Sequence, residues 1–107
     1  MRAVGAWVLV GAGCAAHVSS DQVAAVTALS GDPTRGQALY TDRCDECHHQ
    51  DGHGKGVDLP SAVSHHDAAA LAQVVLSGPS IMPNFVHSLE PQQVADVVAY
   101  LTQAFGT

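Results

Sequence analysis

Apolar positions near the end of the chain recur at Val94, Val97, Val98, Leu101 and Phe105, the spacing of one face of an α-helix. The pattern predicts a helix that begins at Pro91 and stops at Gly106, with proline at the first helical position and glycine just past the last. A second helical pattern starts at Asp67, carries Leu71, Val74 and Val75, and meets the strong terminator Gly78-Pro79. A third lies earlier: Asp32 is placed to cap, Pro33 to open the helix, and Gly36, Leu39 and Tyr40 share a face. No stretch alternates convincingly as a strand, so the expectation is an all-α domain of three main helices. Residues Gln50 to His66, with Gly52, Gly54 and Gly56 in alternation, read as a loop between the first and second helices. Gly54-Lys55-Gly56 lacks the frame of a phosphate-binding loop and follows no strand.

The start of the chain has a different texture. Arg2 precedes an almost uncharged apolar run from Ala3 to Gly13, long enough for the core of a secretory signal and too short to span a bilayer. Residues 1–13 are therefore read as a signal peptide and the mature protein as exported to the periplasm. The run ends Val10-Gly11-Ala12-Gly13-Cys14, similar to the cleavage box of a lipoprotein, so Cys14 is a candidate for lipid attachment to a membrane. Cleavage after Ala16 by ordinary signal peptidase is the competing reading. Residues 14–31 are rich in Ala, Ser and Val and read as a tether, which as a flexible coil reaches roughly 20–25 Å. Ser20-Asp21 could instead open a short helix that docks on the domain, and the sequence leaves both open.

The folded unit is then residues 32–107, small enough to need a staple beyond its own core. With Arg2 removed, only Arg35, Arg43 and Lys55 face ten carboxylates. That balance offers no basic stripe and excludes nucleic acid as a partner. Its simplest consequence is solubility.

The candidate chemistry sits in Cys44-Asp45-Glu46-Cys47-His48. Two thiols three positions apart stand about one helical turn from each other, so each can reach one of the two vinyl groups of a porphyrin. His48 directly follows the second anchor, where its neutral imidazole becomes the proximal iron ligand. A thioredoxin-like dithiol needs the same spacing in a strand-rich context that is lacking here. A zinc site wants four ligands in two clusters, and the remaining cysteine, Cys14, lies far upstream. One covalent haem c is the expected cofactor, and its apolar bulk is the staple the small domain needs.

From Asp32 onward the chain resembles the class I, monohaem cytochrome c family. The matching pieces are the stretch Gly31 to Tyr40, the pentapeptide Cys44 to His48, Gly78-Pro79-Ser80-Ile81-Met82-Pro83, and Val94 to Leu101, in the family's order. The resemblance implies three main helices wrapped around one haem, with Gly36 and Tyr40 meeting Tyr100 and Leu101 where the first and last helices cross. It implies that Pro60 packs the proximal side, beside a backbone carbonyl that accepts the proton of the ligand histidine's second nitrogen. Here the order is Leu59-Pro60 rather than the more familiar Gly-Pro-x-Leu, so the assignment covers both residues.

Met82 is the expected distal ligand. A lone methionine is by default a core filler, but after loss of Met1 it is the only one left, and Pro79 and Pro83 flank it. Prolines hold such a segment extended and stiff, which suits the presentation of a thioether. His49, His53, His65, His66 and His87 are the competing imidazoles, with His87 the serious rival. Iron held by His48 and Met82 has both axial positions filled, which points to outer-sphere, one-electron transfer and needs no catalytic acid or base. A displaceable Met82 would instead suit a ligand-binding or peroxidase-like protein. The expected protein is a monomeric carrier, or an electron-transfer subunit of a respiratory chain, and its partners are an oxidase, reductase or dehydrogenase that meets the haem edge in a small, transient contact.

Overall fold

A computed structural model describes residues 17–54, 58–78, 82, 84–86 and 88–106. Among them the chain is helical with no strand: α1 Ser20–Thr27, α2 Pro33–Arg43, α3 Asp45–His48, α4 Leu59–Ser64, α5 Ala68–Ser77 and α6 Pro91–Phe105. The signal run, Cys14, Lys55-Gly56, the Pro79 to Ile81 segment, Pro83 and His87 lie outside the described residues. No described helix is long and apolar enough to cross a membrane.

Local chemistry sets the helix ends. The Asp32 carboxylate accepts from the amides of Thr34 and Arg35 at 2.8 and 3.3 Å, satisfying donors that a helix start leaves unpaired, and Pro33 follows at the first position. Asp67 caps α5 through the Ala70 amide at 2.9 Å. Gly78, at φ 60° and ψ 61°, closes the same helix in the left-handed conformation. The expected loop from Gln50 to His66 is only partly a loop. Its second half is α4, capped by the Asp58 carboxylate on the Ser61 amide at 3.2 Å, with Leu59 and Val63 buried. Pro60 sits in its first turn, where a missing amide costs nothing.

The region expected as a tether also contains a helix. Ser19 and Gln22 form a reciprocal capping box at the start of α1, with bonds of 2.8 and 3.2 Å. Val26 is buried, and α1 packs on α5 and α6. Of the two readings left open by the sequence, the helical, docked one is observed for Ser20–Thr27.

The most extensive helix pair is α2 against α6. At their crossing the backbones touch: a Cβ on Gly36 would run into the Asp96 carbonyl and lie 2.9 Å from the Tyr100 Cβ. Glycine, costly inside a helix, is here the residue that permits the approach. Tyr40, fully buried one turn on, packs its ring 5.2 Å from Tyr100 and 5.9 Å from Phe105. The resemblance placed Tyr100 and Leu101 at this crossing. Tyr100 is there, Leu101 is buried in the common core, and Phe105 completes the aromatic cluster.

Asp96 lies off the apolar stripe of α6, on the side turned to α2, yet it is almost fully buried. Its carboxylate accepts from the Asp32 amide at 2.8 Å, from Arg35 Nε at 3.0 Å and from Gln92 Nε2 at 3.0 Å. Gln92 also donates to the Ser30 carbonyl at 2.9 Å. Burial pushes the Asp96 carboxyl up, but these hydrogen bonds and the guanidinium charge outweigh burial and hold it below the usual aspartate value. The start of α2 is thus tied to the first half of α6 by a satisfied buried charge.

Two outcomes follow from the crossing. Gly36→Ala is expected to cost about 3 kcal/mol through overpacking against backbone, lowering the thermal midpoint of the holoprotein by roughly 12–24 °C; an unchanged midpoint would contradict the packing. A carboxylate held below its unfolded value of about 3.9 stabilises the fold above that pH, and the contribution is lost as pH falls through the folded value. Asp96→Asn is expected to remove about 2 kcal/mol at neutral pH. It should also flatten the acid limb of a midpoint series recorded between about pH 2 and pH 7.

Candidate haem-attachment site

The pentapeptide lies where α2 gives way to α3. Cys44 ends α2, with its amide on the Tyr40 carbonyl at 2.8 Å, and its own carbonyl accepts from Cys47 and His48 at 3.2 and 3.0 Å. One turn of helix therefore brings Cys44, Cys47 and His48 together, as the spacing predicts. Cys44 is half-buried and packed against the core, Cys47 is exposed and His48 is half-buried. Burial pushes the Cys44 thiol up to about 11, with the neighbouring Arg43 and Cys47 as smaller influences of opposite sign.

Directly after His48 the chain reverses. His49 has φ 58° and ψ 167°, a region that non-glycine residues enter at a cost of about 1–3 kcal/mol. The surrounding bonds hold it there. Its amide donates to the Asp45 carbonyl at 2.8 Å, and its carbonyl accepts from the Gly52 amide at 3.2 Å and from the Tyr40 hydroxyl. Burial, with smaller contributions from Cys44, Tyr100, Asp45 and Asp51, raises the Tyr40 phenol well above its ordinary value, so it stays a donor. Gly54 then lies over the pentapeptide: a Cβ there would strike the Cys47 carbonyl and sit 2.9 Å from the His48 Cα.

Leu59 and Pro60 close this loop. The Leu59 amide donates to the Gly52 carbonyl at 3.0 Å, and a Cβ on Gly52 would lie 2.9 Å from Pro60 Cδ and 3.0 Å from Leu59 Cβ. His53 pairs with Asp58 across the loop. The structure thus brings Leu59 and Pro60 to the loop that follows His48, Leu59 buried and Pro60 half-buried.

Met82 is half-buried and packed on the core cluster. Three residues further on, the Phe85 amide lies 3.3 Å from the carbonyls of both Val75 and Leu76 in α5. Phe85 and Leu89 are buried and moor this stretch; neither stood out in the sequence, since one aromatic among scattered polar residues gives no period. Of the rival histidines, His49, His53, His65 and His66 are exposed. His65 and His66 each turn Nδ1 toward a carbonyl of α4, Ser61 at 2.8 Å and Ala62 at 2.6 Å. His49 turns its Nδ1 to the Asp45 carbonyl at 3.2 Å.

A domain that is helical among its described residues, whose α2 and α6 cross at a glycine and whose α2 ends in a CxxCH turn, is a cytochrome c-type domain. Residues 31–101 match the family described as "Cytochrome C oxidase, cbb3-type, subunit III", and the chain belongs to this family. It is similar to a gluconate 2-dehydrogenase cytochrome c subunit of Pantoea cypripedii, 32% identical over 103 aligned residues covering 80% of this chain and 23% of the relative. The chain thus spans about a quarter of that relative's length. No solved structure matches the chain. Membership carries with it one covalently bound haem c and haem-based electron transfer.

The residues present fit that group. Two thiols and an imidazole share one helical turn, a thioether packs on the same core, and Gly54 keeps side-chain bulk off the Cys47–His48 backbone. Covalent attachment has a direct test. Acidified organic solvent should leave haem on the parent polypeptide and release it from a Cys44→Ser/Cys47→Ser double variant reconstituted with haem. Release from the parent would contradict thioether attachment.

Proposed function

We propose that the protein is a one-electron carrier, or the electron-transfer subunit of a membrane-associated dehydrogenase, with haem c bound through Cys44 and Cys47 and ligated by His48 and Met82. The observation that carries the reading is the turn holding Cys44, Cys47 and His48 together with a half-buried Met82, the sole methionine after Met1, packed on the same core. When bound, the haem supplies a ferrous/ferric couple. The two cysteines hold the macrocycle by its edge, with exposed Cys47 marking where a partner gains access. His48 would hold the iron from one side, with Leu59 and Pro60 packing the loop that follows it, and Met82 would hold it from the other; that would leave no site for substrate and make the domain a carrier and not itself catalytic. A neutral thioether favours ferrous iron and raises the potential relative to a bis-histidine site.

The similarity to a gluconate 2-dehydrogenase cytochrome c subunit supports a dehydrogenase as the electron donor; the acceptor is a second redox protein met through a small transient contact. Export to the periplasm follows from the apolar run at residues 1–13, and membrane attachment from a lipid on Cys14. With Ser20–Thr27 docked on the domain, a lipid on Cys14 would hold the haem domain close to the bilayer as a monomer. Mass spectrometry of the mature N-terminus tests this part: a lipid-modified Cys14 is expected, and a chain starting at His17 would contradict it.

Ligation is tested by optical spectra of the ferric protein. The weak long-wavelength band of sulfur-to-iron ligation is expected in the parent and lost in Met82→Ala, with a lowered reduction potential. A parent without the band, or a variant that keeps it, would remove Met82 from the iron.

A further inference from the structure

We propose that Tyr40 is a positioning residue for the proximal ligand, acting through the backbone of His49; this rests on His48 being that ligand. The backbone of His49 occupies a conformation suited to glycine, at φ 58° and ψ 167°. Left to itself such a residue relaxes, and because it is bonded directly to His48, relaxation turns the peptide that carries the ligand. Three hydrogen bonds to its backbone oppose this, beside the contact of its own Nδ1 with the Asp45 carbonyl: the His49 amide to Asp45, and the Gly52 amide and Tyr40 hydroxyl to the His49 carbonyl. The first two arise within the pentapeptide and its own loop. Only the Tyr40 bond comes from the folded core.

That origin gives the bond its reach. Tyr40 is fully buried and its ring is held between Tyr100 and Phe105 of α6, so its hydroxyl has a fixed position. The hydroxyl stays protonated in its buried setting and the carbonyl can only accept, so the polarity of the bond is settled. The α2–α6 crossing thereby reaches the residue beside the ligand through one side chain. A tyrosine that merely filled the core would need its ring and not its hydroxyl.

The test separates these roles in the ferric holoprotein. Tyr40→Phe keeps the ring and removes the donor. It is expected to change the spread of the haem methyl resonances in the paramagnetic NMR spectrum, which reports axial-ligand orientation. It should also speed exchange of the Gly52 amide about tenfold. His49→Gly, which adopts the observed backbone without strain, is expected to restore both in the double variant. Val26→Ala, a buried truncation in α1, should lower stability and leave both readings as in the parent. An unchanged methyl spread in Tyr40→Phe would overturn the proposal. So would a change that His49→Gly fails to reverse, because Tyr40 would then act through packing. If Tyr40→Phe loads no haem, recovery of holoprotein in the double variant supports the role and failure to recover overturns it. Absence of iron-shifted His48 ring resonances in the parent would remove His48 as ligand, and this role with it, an outcome distinct from all the others.

Discussion

Where α2 crosses α6, Gly36 leaves no side chain between the two backbones, and the rest of the domain is arranged around that contact. The close approach places Tyr40 against Tyr100 and Phe105 and sets Asp96 beneath the start of α2, where it collects the Asp32 amide, Arg35 and Gln92. A buried carboxylate is tolerable only because these donors satisfy it. In return it fixes how far α2 can slide along α6, a register that apolar contacts alone leave loose.

That register determines where the pentapeptide stands. Cys44 continues directly from α2, so the thiols and His48 inherit the helix's position, and Tyr40 ties the reversal at His49 to the same crossing. Three residues past Met82, the Phe85 amide is tied to the carbonyls at the end of α5. Tyr40 and Phe85, both buried, thus each anchor one of the two candidate ligand regions to the core. An electron carrier benefits from such an arrangement, since small ligand movement between oxidation states keeps the barrier to transfer low.

The parts of this design that are local were legible in the sequence. Asp32-Pro33, Asp67 with Gly78, and the stripe from Val94 to Phe105 locate α2, α5 and α6 because caps and periodicity act within a few residues. The CxxCH spacing, a one-turn property, gave the cofactor. The α4 helix was not found, because six residues are too few to establish a period and the glycines before them dominate the reading; Asp58 before Leu59-Pro60 was the available signal. The helix at Ser20–Thr27 was only half-read, although Ser19 and Gln22 carry its capping box. Asp96 and the Tyr40–His49 bond were invisible for a different reason. A single aspartate off the apolar stripe looks like an exposed position until Asp32, sixty-four residues away, is brought against it, and nothing local marks a tyrosine hydroxyl as the support of a later turn.

Closure of the iron's coordination by protein separates an electron carrier from a haem protein that binds small molecules. Exposure of the reduced holoprotein to carbon monoxide at neutral pH decides between them most directly. With His48 and Met82 both in place, the ferrous spectrum should remain unchanged. Prompt formation of a carbon monoxide adduct would mean that the distal position is open, and would contradict the assignment of this domain to outer-sphere electron transfer.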